Sequence, residues 1–338
     1  RDVVESRGLG DVYKRQEKQF EKDWGRSMVA KLQDVAKLAG VSVTTVSRVI
    51  NNYGSLSEKT IKKVHQAMNQ LNYQPNALAR AMQGKPSKFI GLIFPNLTNP
   101  FFAELVNELE HQLFLKGYKT IIASSAENRE IEHEYLNMLF ANQVDGIISG
   151  SHNLGIEEYQ QLTAPIVSFD RYLSDNIPIV AADSYRGGKL AARFMIQHQV
   201  NRLAVIVDED TSVSPTLNRL QGVVDYLNDQ GHNFVTLTKE EIDQTDFAKQ
   251  FDGVIASNDV QALRIISQYR QKGYQVNRDF FVTGYDGSQL ICQIAPQLPT
   301  VVQPIHALAE NLISTLFERI ANPRKKIESV TLPVKFRE

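Results

Sequence analysis

Two architectures follow one another along this chain. The first is an all-α helix-turn-helix headpiece; the second is an α/β body of two doubly wound parallel-sheet subdomains. Three observations predict this. The hydrophobic period is helical from Leu32 to about Met82, and from Phe89 onward short apolar runs alternate with amphipathic helices. Basic residues crowd the first region although the whole chain carries a formal net charge of -1. The apolar runs are also too numerous for one compact sheet. A length of 338 residues accommodates a small and a large domain at about 100–200 residues per domain.

Leu32, Val35, Ala36 and Ala39 recur at helical spacing and give the first helix its apolar face. Gly40 can take the left-handed conformation that ends a helix tightly. Ser42 is placed to cap the next helix, its hydroxyl accepting from an orphan N–H. Val46, Val49 and Ile50 form the inner stripe of that helix and leave Thr44, Thr45, Ser47 and Arg48 outside. Small polar groups permit close approach to a DNA major groove, and an Arg can fork onto a guanine or a phosphate. Thr44 and Arg48 are expected at base edges, with Val43 packed beside them. A plain amphipathic hairpin has the same pattern, and charge separates the two readings. Between Met28 and Lys88 the bases are Lys31, Lys37, Arg48, Lys59, Lys62, Lys63, Arg80, Lys85 and Lys88, against the acids Asp34 and Glu58. A basic module on a near-neutral body is the footprint of phosphate contact.

Ser57 caps a third helix whose core stripe is Ile61, Val64, Met68 and Leu71. Asn72-Tyr73-Gln74-Pro75 stops it. An Ala-rich run from Asn76 to Met82 follows, too short to be a stable helix alone. This puts the DNA-binding domain at 28–75 and a linker at 76–87. Residues 1–27 are polar and lack apolar periodicity. They are expected to be a non-native leader or a disordered arm, with Met28 the natural start.

In the body, strands are expected at 89–94, 119–124, 146–150, 166–170 and 179–183, and then at 203–208, 234–238, 253–257 and 281–286. Strands alternating with helices argue for parallel sheets covered on both faces. The first subdomain is expected to span about 88–185 plus 305–322, and the second about 186–300 plus 323–338. A helix at 306–320 and a strand at 330–336 complete them.

Ligands of parallel α/β sheets bind beyond the carboxyl ends of strands. Asn96, Asn99, Phe101 and Phe102 follow the first strand, Asp170-Arg171 the fourth. Arg219 lies in the helix after the sixth, Asn258-Asp259 follow Ala256-Ser257, and Asp286 closes Gly284-Tyr285-Asp286. A sugar needs paired donors and acceptors for its hydroxyls and an aromatic face for its C–H side, and this set supplies both. Asp and Asn at strand ends also cap the next helix, which is the simpler reading of each taken singly.

Catalytic signatures are missing: there is no Gly-Lys-Ser/Thr phosphate loop, His-Glu-x-x-His or Gly-x-Ser-x-Gly. Gly187-Gly188 opens a helix without dinucleotide spacing, and the seven histidines form no cluster at metal spacing. No enzyme activity, cofactor or metal is expected. The single cysteine, Cys292, precludes an intramolecular disulfide and fits a reducing cytoplasm. No apolar run approaches the roughly 18–20 residues of a transmembrane helix, and no signal peptide is recognisable. A cytoplasmic location without a membrane partner is expected.

The chain resembles the lactose-repressor (LacI/GalR) family of transcriptional regulators. The signature is Asp34-Val35-Ala36, Ala39-Gly40-Val41-Ser42 and Thr45-Val46-Ser47-Arg48-Val49-Ile50-Asn51. It continues in Leu71-Asn72-Tyr73-Gln74-Pro75-Asn76-Ala77-Leu78-Ala79-Arg80. The resemblance implies a periplasmic-binding-protein-like body. It also implies DNA contacts at Ser42, Val43, Thr44, Thr45, Ser47, Arg48, Asn51, Asn76, Ala79, Arg80 and Met82. In the family the run after Pro75 is a hinge helix that orders on operator DNA and pushes an apolar wedge into the minor groove. The usual wedge is Leu; here it is Met82. Positions matching Phe101, Phe102, Asp170, Arg219, Asn258 and Asp286 line the family's effector cleft, with Arg171 beside them.

Two departures bear on the effector. The ligand Arg of the purine-binding branch aligns with Val213, which argues against a purine. The body has no Trp to stack on a sugar ring, and Phe247 is the candidate in its place. The segments 153–159 and 168–178 look like those of sucrose-operon repressors from Gram-positive bacteria. The resemblance therefore implies a homodimeric or tetrameric repressor of a sugar operon, sucrose above others. It would leave a palindromic operator when a sugar or sugar phosphate binds. A different sugar, or a phosphocarrier corepressor, is the alternative. A sugar-handling enzyme with a DNA-binding appendage lacks its motifs, and a transport-type binding protein would have no use for the headpiece.

Overall fold

The computed structural model describes residues 30–51, 53–74, 86–151, 153, 159, 164–207 and 217–338. The expected leader, the hinge run with Asn76, Ala79, Arg80 and Met82, and Val213 lie outside these residues. The chain divides into two compact units, one up to Ala79 and one from Arg80.

The first unit holds three helices: α1 (Leu32–Ala39), α2 (Val43–Ile50) and α3 (Glu58–Gln70). Gly40 stands at φ 65° and ends α1, as its freedom from a Cβ allows. Ser42 caps α2 by accepting from the Thr45 N–H at 3.1 Å, and Ser57 caps α3 from Thr60 at 3.3 Å. Helices of 8, 8 and 13 residues are marginal in water. A shared core of Val35, Ala36, Ala39, Val46, Val49, Val64 and Ala67 holds them.

The second unit begins with β1 (Phe89–Phe94), α4 (Pro100–Leu115), β2 (Lys119–Ser124), α5 (Arg129–Ala141), β3 (Gly146–Ser149), β4 (Ile166–Phe169) and β5 (Ile179–Ala182). It passes through α6 (Ser184–Gln197) into β6 (Leu203–Val207), α7 (Leu217–Asp229), β7 (Phe234–Thr238) and the short α8 (Phe247–Gln250). Then come β8 (Gly253–Ile255), α9 (Asp259–Gln271), β9 (Phe281–Asp286), α10 (Gln289–Ile294) and β10 (Thr300–Val302). The last elements are α11 (Ile305–Ala321), β11 (Val330–Leu332) and β12 (Lys335–Arg337).

These strands make two sheets, ordered β11-β5-β4-β3-β1-β2 and β12-β10-β9-β8-β6-β7. The first is parallel throughout. The second is parallel except for β12, which runs against β10. Strands covered on both faces read as continuous apolar runs, as Phe89-Ile90-Gly91-Leu92-Ile93-Phe94 does. Leu105, Leu109 and Leu113 of α4 share the first lobe's core with Leu308, Leu312 and Leu316 of α11. Both triplets follow the i, i+4 spacing that puts residues on one helix face.

One expectation is corrected. The stretch 330–336 is not one strand: Val330 pairs with Val180 in the first sheet, while Arg337 pairs with Thr300 in the second. Pro333, with no N–H for either ladder, stands at the switch. The chain therefore crosses between lobes at 333–334, and residues 323–332 lead to the first lobe instead of the second.

In the second lobe α6 and α7 approach very closely. A Cβ on Gly188 would stand 2.0 Å from the Arg219 carbonyl oxygen, and one on Gly222 would stand 2.0 Å from that of Tyr185. Each glycine is the gap through which the other helix's backbone passes. Gly188 thus serves the helix packing that places Arg219, while a Cβ on Gly187 would stand 2.7 Å from the Tyr285 ring of β9.

Candidate functional site

On α2, Val43, Thr44 and Arg48 are exposed. The other expected DNA-facing groups are partly committed to their own helix. The Ser42 and Thr45 hydroxyls lie 2.8 Å apart, and Asn51 Nδ2 donates to the Ser47 carbonyl at 2.6 Å and to its hydroxyl at 3.3 Å. Thr45, Ser47 and Asn51 are half-buried. These bonds fix the helix ends and leave Thr44 and Arg48, with Val43, as the side chains presented outward.

In the body, the expected residues sit at the carboxyl ends of strands from both sheets. Asp170 follows β4 in the left-handed region, φ 54°, which Asp tolerates better than most residues. The Ser168 hydroxyl donates to the Arg171 carbonyl at 2.5 Å and braces that turn. Arg219 on α7 donates Nη1 to the Ser257 carbonyl after β8, and its guanidinium lies 3.3 Å from the centre of the Tyr285 ring. Its buried Nε–H meets no acceptor among the described residues. Arg171 and Arg219 line one cavity with Val205, Val223, Ile255 and Ser257.

Asp286 ends β9, almost fully buried, and accepts from Gln303 Nε2 at 2.9 Å. Burial, then the nearby charge of Asp259, pushes its carboxyl up to about 8; Arg219 and the Gln303 bond oppose this. Asp170 acts on it too, so Asp170 of the first lobe and Arg219 and Asp286 of the second share one electrostatic site.

Four expected residues have different settings. Phe101 and Phe102 pack into an aromatic cluster with Phe94 and Phe169, ring centres 5.6–6.5 Å apart, and so back Asp170 from the first lobe's core. Asn258 caps α9, accepting from the Gln261 N–H at 3.0 Å, which is the simpler reading of an Asn at a strand end. Phe247, the candidate for stacking on a sugar, is fully buried in the second lobe's core with Phe251 5.9 Å away. That role is withdrawn: no face of its ring is accessible.

Sequence reasoning missed Glu132. It is fully buried on α5 and accepts from Ser151 Oγ and Asn153 Nδ2, both at 2.5 Å, and from Tyr159 Oη at 2.7 Å. These bonds hold the chain that leaves β3. A signal was present, since Glu132 shares the apolar stripe of Leu136 and Leu139, and a carboxylate there requires donors. Also missed was a contact across the lobes, the Gln289 N–H donating to Glu104 Oε2 at 2.7 Å.

An outward Thr/Arg face on a helix-turn-helix, and a two-sheet body whose strand ends bring acids and arginines together, define a ligand-responsive DNA-binding regulator. The chain belongs to the LacI family. The model for bacterial regulatory proteins of the lacI family matches residues 31–76, and the model for periplasmic binding proteins and the sugar binding domain of the LacI family matches residues 87–336. The chain is similar to the sucrose operon repressor of Pediococcus pentosaceus, 47% identical over 319 residues, covering 91% of this chain and 98% of the relative. The sucrose operon repressor of Streptococcus mutans is 46% identical, with 87% and 93% covered. Among solved structures, the lac repressor dimer bound to operator and the anti-inducer ONPF has the same fold, with TM-score 0.78, 24% identity, and 91% and 98% covered. The complex of the regulator CelR with cellobiose superimposes with TM-score 0.66 at 26% identity, with 91% and 98% covered.

Proposed function

We propose that this chain represses a sucrose-utilisation operon in the cytoplasm. It binds a palindromic operator as a homodimer and leaves it when sucrose, or a sugar or sugar phosphate derived from it, enters the cleft. The observation that carries this reading is one cavity lined by Arg171 of the first lobe and Arg219 and Ser257 of the second, in a chain whose relatives at 46–47% identity are sucrose operon repressors. A carboxyl and a guanidinium supply several directed bonds for sugar hydroxyls. The lobes are joined by three crossings, so a sugar gripped by both changes how they close. Through the linker at 76–87 this closure lowers the affinity of the headpieces for the operator. The sugar shifts this equilibrium only by its differential affinity for the two states. A coupling of about 1–3 kcal/mol gives about 5–150-fold release.

The test is footprinting of the DNA upstream of the gene with purified protein, alone and with sucrose, fructose, glucose or sucrose 6-phosphate. A symmetric footprint that one of these sugars abolishes is the expected result. Protection that is asymmetric, or indifferent to every sugar, would refute the proposal.

A further inference from the structure

We propose that Asp259 is a positioning residue of the effector cleft, clamping the turn that aims Asp286 and setting a buried charge beside that turn. The proposal rests on the effector reading of the cleft given above.

Asp259 opens α9 directly after the cap Asn258 and is 2% exposed. Its two oxygens serve two segments. Oδ2 accepts from the Gly287 N–H at 2.8 Å, and Oδ1 accepts from the Thr300 hydroxyl on β10 at 2.5 Å. On β9, a Cβ at Gly284 would lie 2.1 Å from Oδ1, so a glycine is required for the carboxylate to fit. Strand β9, the turn after it and β10 therefore converge on one side chain.

That turn is strained. Asp286 has φ 111°, a region L-residues rarely adopt, and Gly287 follows at φ 61°. Such a conformation persists only when its surroundings over-determine it. Gln303 holds one side, its N–H donating to the Asp286 carbonyl at 3.1 Å and its amide to Oδ1 at 2.9 Å. Asp259 holds the other side and is the charged partner.

The charged groups facing Asp286 are Asp259 from α9, Arg219 from α7 and Asp170 from the turn after β4, while Arg337 of β12 faces Asp259. Burial also pushes Asp259 up, to about 6, against the bonds from Thr300 and Gly287 and the charges of Arg337 and Arg219. The two bonds that Asp259 accepts favour its charged form, and that charge adds to burial in raising the Asp286 carboxyl. A raised carboxyl at Asp286 widens the pH range over which it can donate a hydrogen bond to a sugar hydroxyl as well as accept one.

Asp259→Asn removes the charge and preserves both bonds, the amide oxygen accepting from Gly287 and the NH2 donating to the Thr300 oxygen. Full-length wild type and variant are titrated with sucrose and with sucrose 6-phosphate between about pH 6 and about pH 9. The sign is fixed by the need for the proton: wild-type affinity falls as pH rises through about 8. In the Asn variant the fall begins about one unit lower or more, with unchanged operator affinity in the absence of sugar. An unmoved midpoint overturns the proposal. Should the Asn variant not fold, Asp286→Asn fixes the residue in its neutral form. Its sugar affinity should then lose the fall near pH 8, and persistence of that fall is equally fatal. If neither sugar binds wild type, the effector reading has failed, not this one. Carboxyl carbon NMR of Asp286, assigned with Asp286→Asn, then decides: a downward shift in Asp259→Asn upholds the role of Asp259, and none removes it.

Discussion

The headpiece and the proposed effector cleft both gather polar side chains, but by opposite means. On α2, Thr44 and Arg48 stand in water, and the buried residues beneath them are Val46 and Val49. In the cleft, Asp170, Arg171 and Asp286 are each at least nine-tenths buried; Gln303 donates to Asp286, and Asp259 accepts from the Gly287 N–H that follows it. DNA is a large, highly charged surface that reaches exposed groups, so the headpiece needs only a stiff helix of the right outline. A small neutral ligand offers few contacts, so its site must be organised beforehand, with the desolvation of its charges already met by the fold. Headpiece contacts should therefore be separable from stability, and cleft contacts should not.

The largest effect should come from the packing that places the cleft. Gly188→Ala sets a Cβ against the Arg219 backbone, and overpacking of this kind costs about 1–3 kcal/mol or more. A lower thermal midpoint and a lost sugar response are expected together; a stable variant that still responds would uncouple packing from site. Next, Asp286→Ala should bind operator without sugar but forfeit the about 5–150-fold release, measured by operator affinity across the sugar panel. If it responds normally, the acid lies outside the effector contacts; if it cannot bind operator even without sugar, its role is structural. Arg48→Ala should cost about 1–3 kcal/mol of operator binding and leave the melting curve in place. Equal losses on operator and random DNA would reassign Arg48 to phosphate. The smallest effect is Ser57→Ala, which removes the α3 cap and should cost about 1 kcal/mol of headpiece stability, read by denaturant unfolding of the headpiece. Selectivity between operator and random DNA should not change.

The same contrast explains what could be read in advance. Caps, turns and strand runs are local patterns, so Ser42, Gly40, Ser57 and the strands 89–94, 119–124, 234–238 and 281–286 were legible in the residues themselves. The split of 330–336 was not, because which sheet a strand joins depends on partners some 35 and 150 positions away in the chain. Position at a strand end singled out Asp170 and Asp286, and position on the helix after β6 singled out Arg219. Asn258 was open to both readings, and the structure shows the cap. Phe247 misled because an aromatic residue in an amphipathic stretch carries no mark of which way it packs. Glu132 was hidden by the assumption that a charged residue lies outside, although its place on an apolar stripe gave it away.

The last crossing has a consequence for how the protein is made. A ribosome releases the headpiece helices, with their core complete by Tyr73, long before either sheet of the body can close. β11 and β12 are the last strands of their respective sheets to be synthesised, and they leave the ribosome one after the other. Arg337 then reaches the carbonyls of Cys292, Ala295, Pro296 and Leu298 and ties down the end of α10. A stop codon just before Val330 would therefore spare the whole DNA-facing surface while stripping an edge strand from both lobes at once. Such a transcript would yield a headpiece on a body whose two sheets each lack an edge strand.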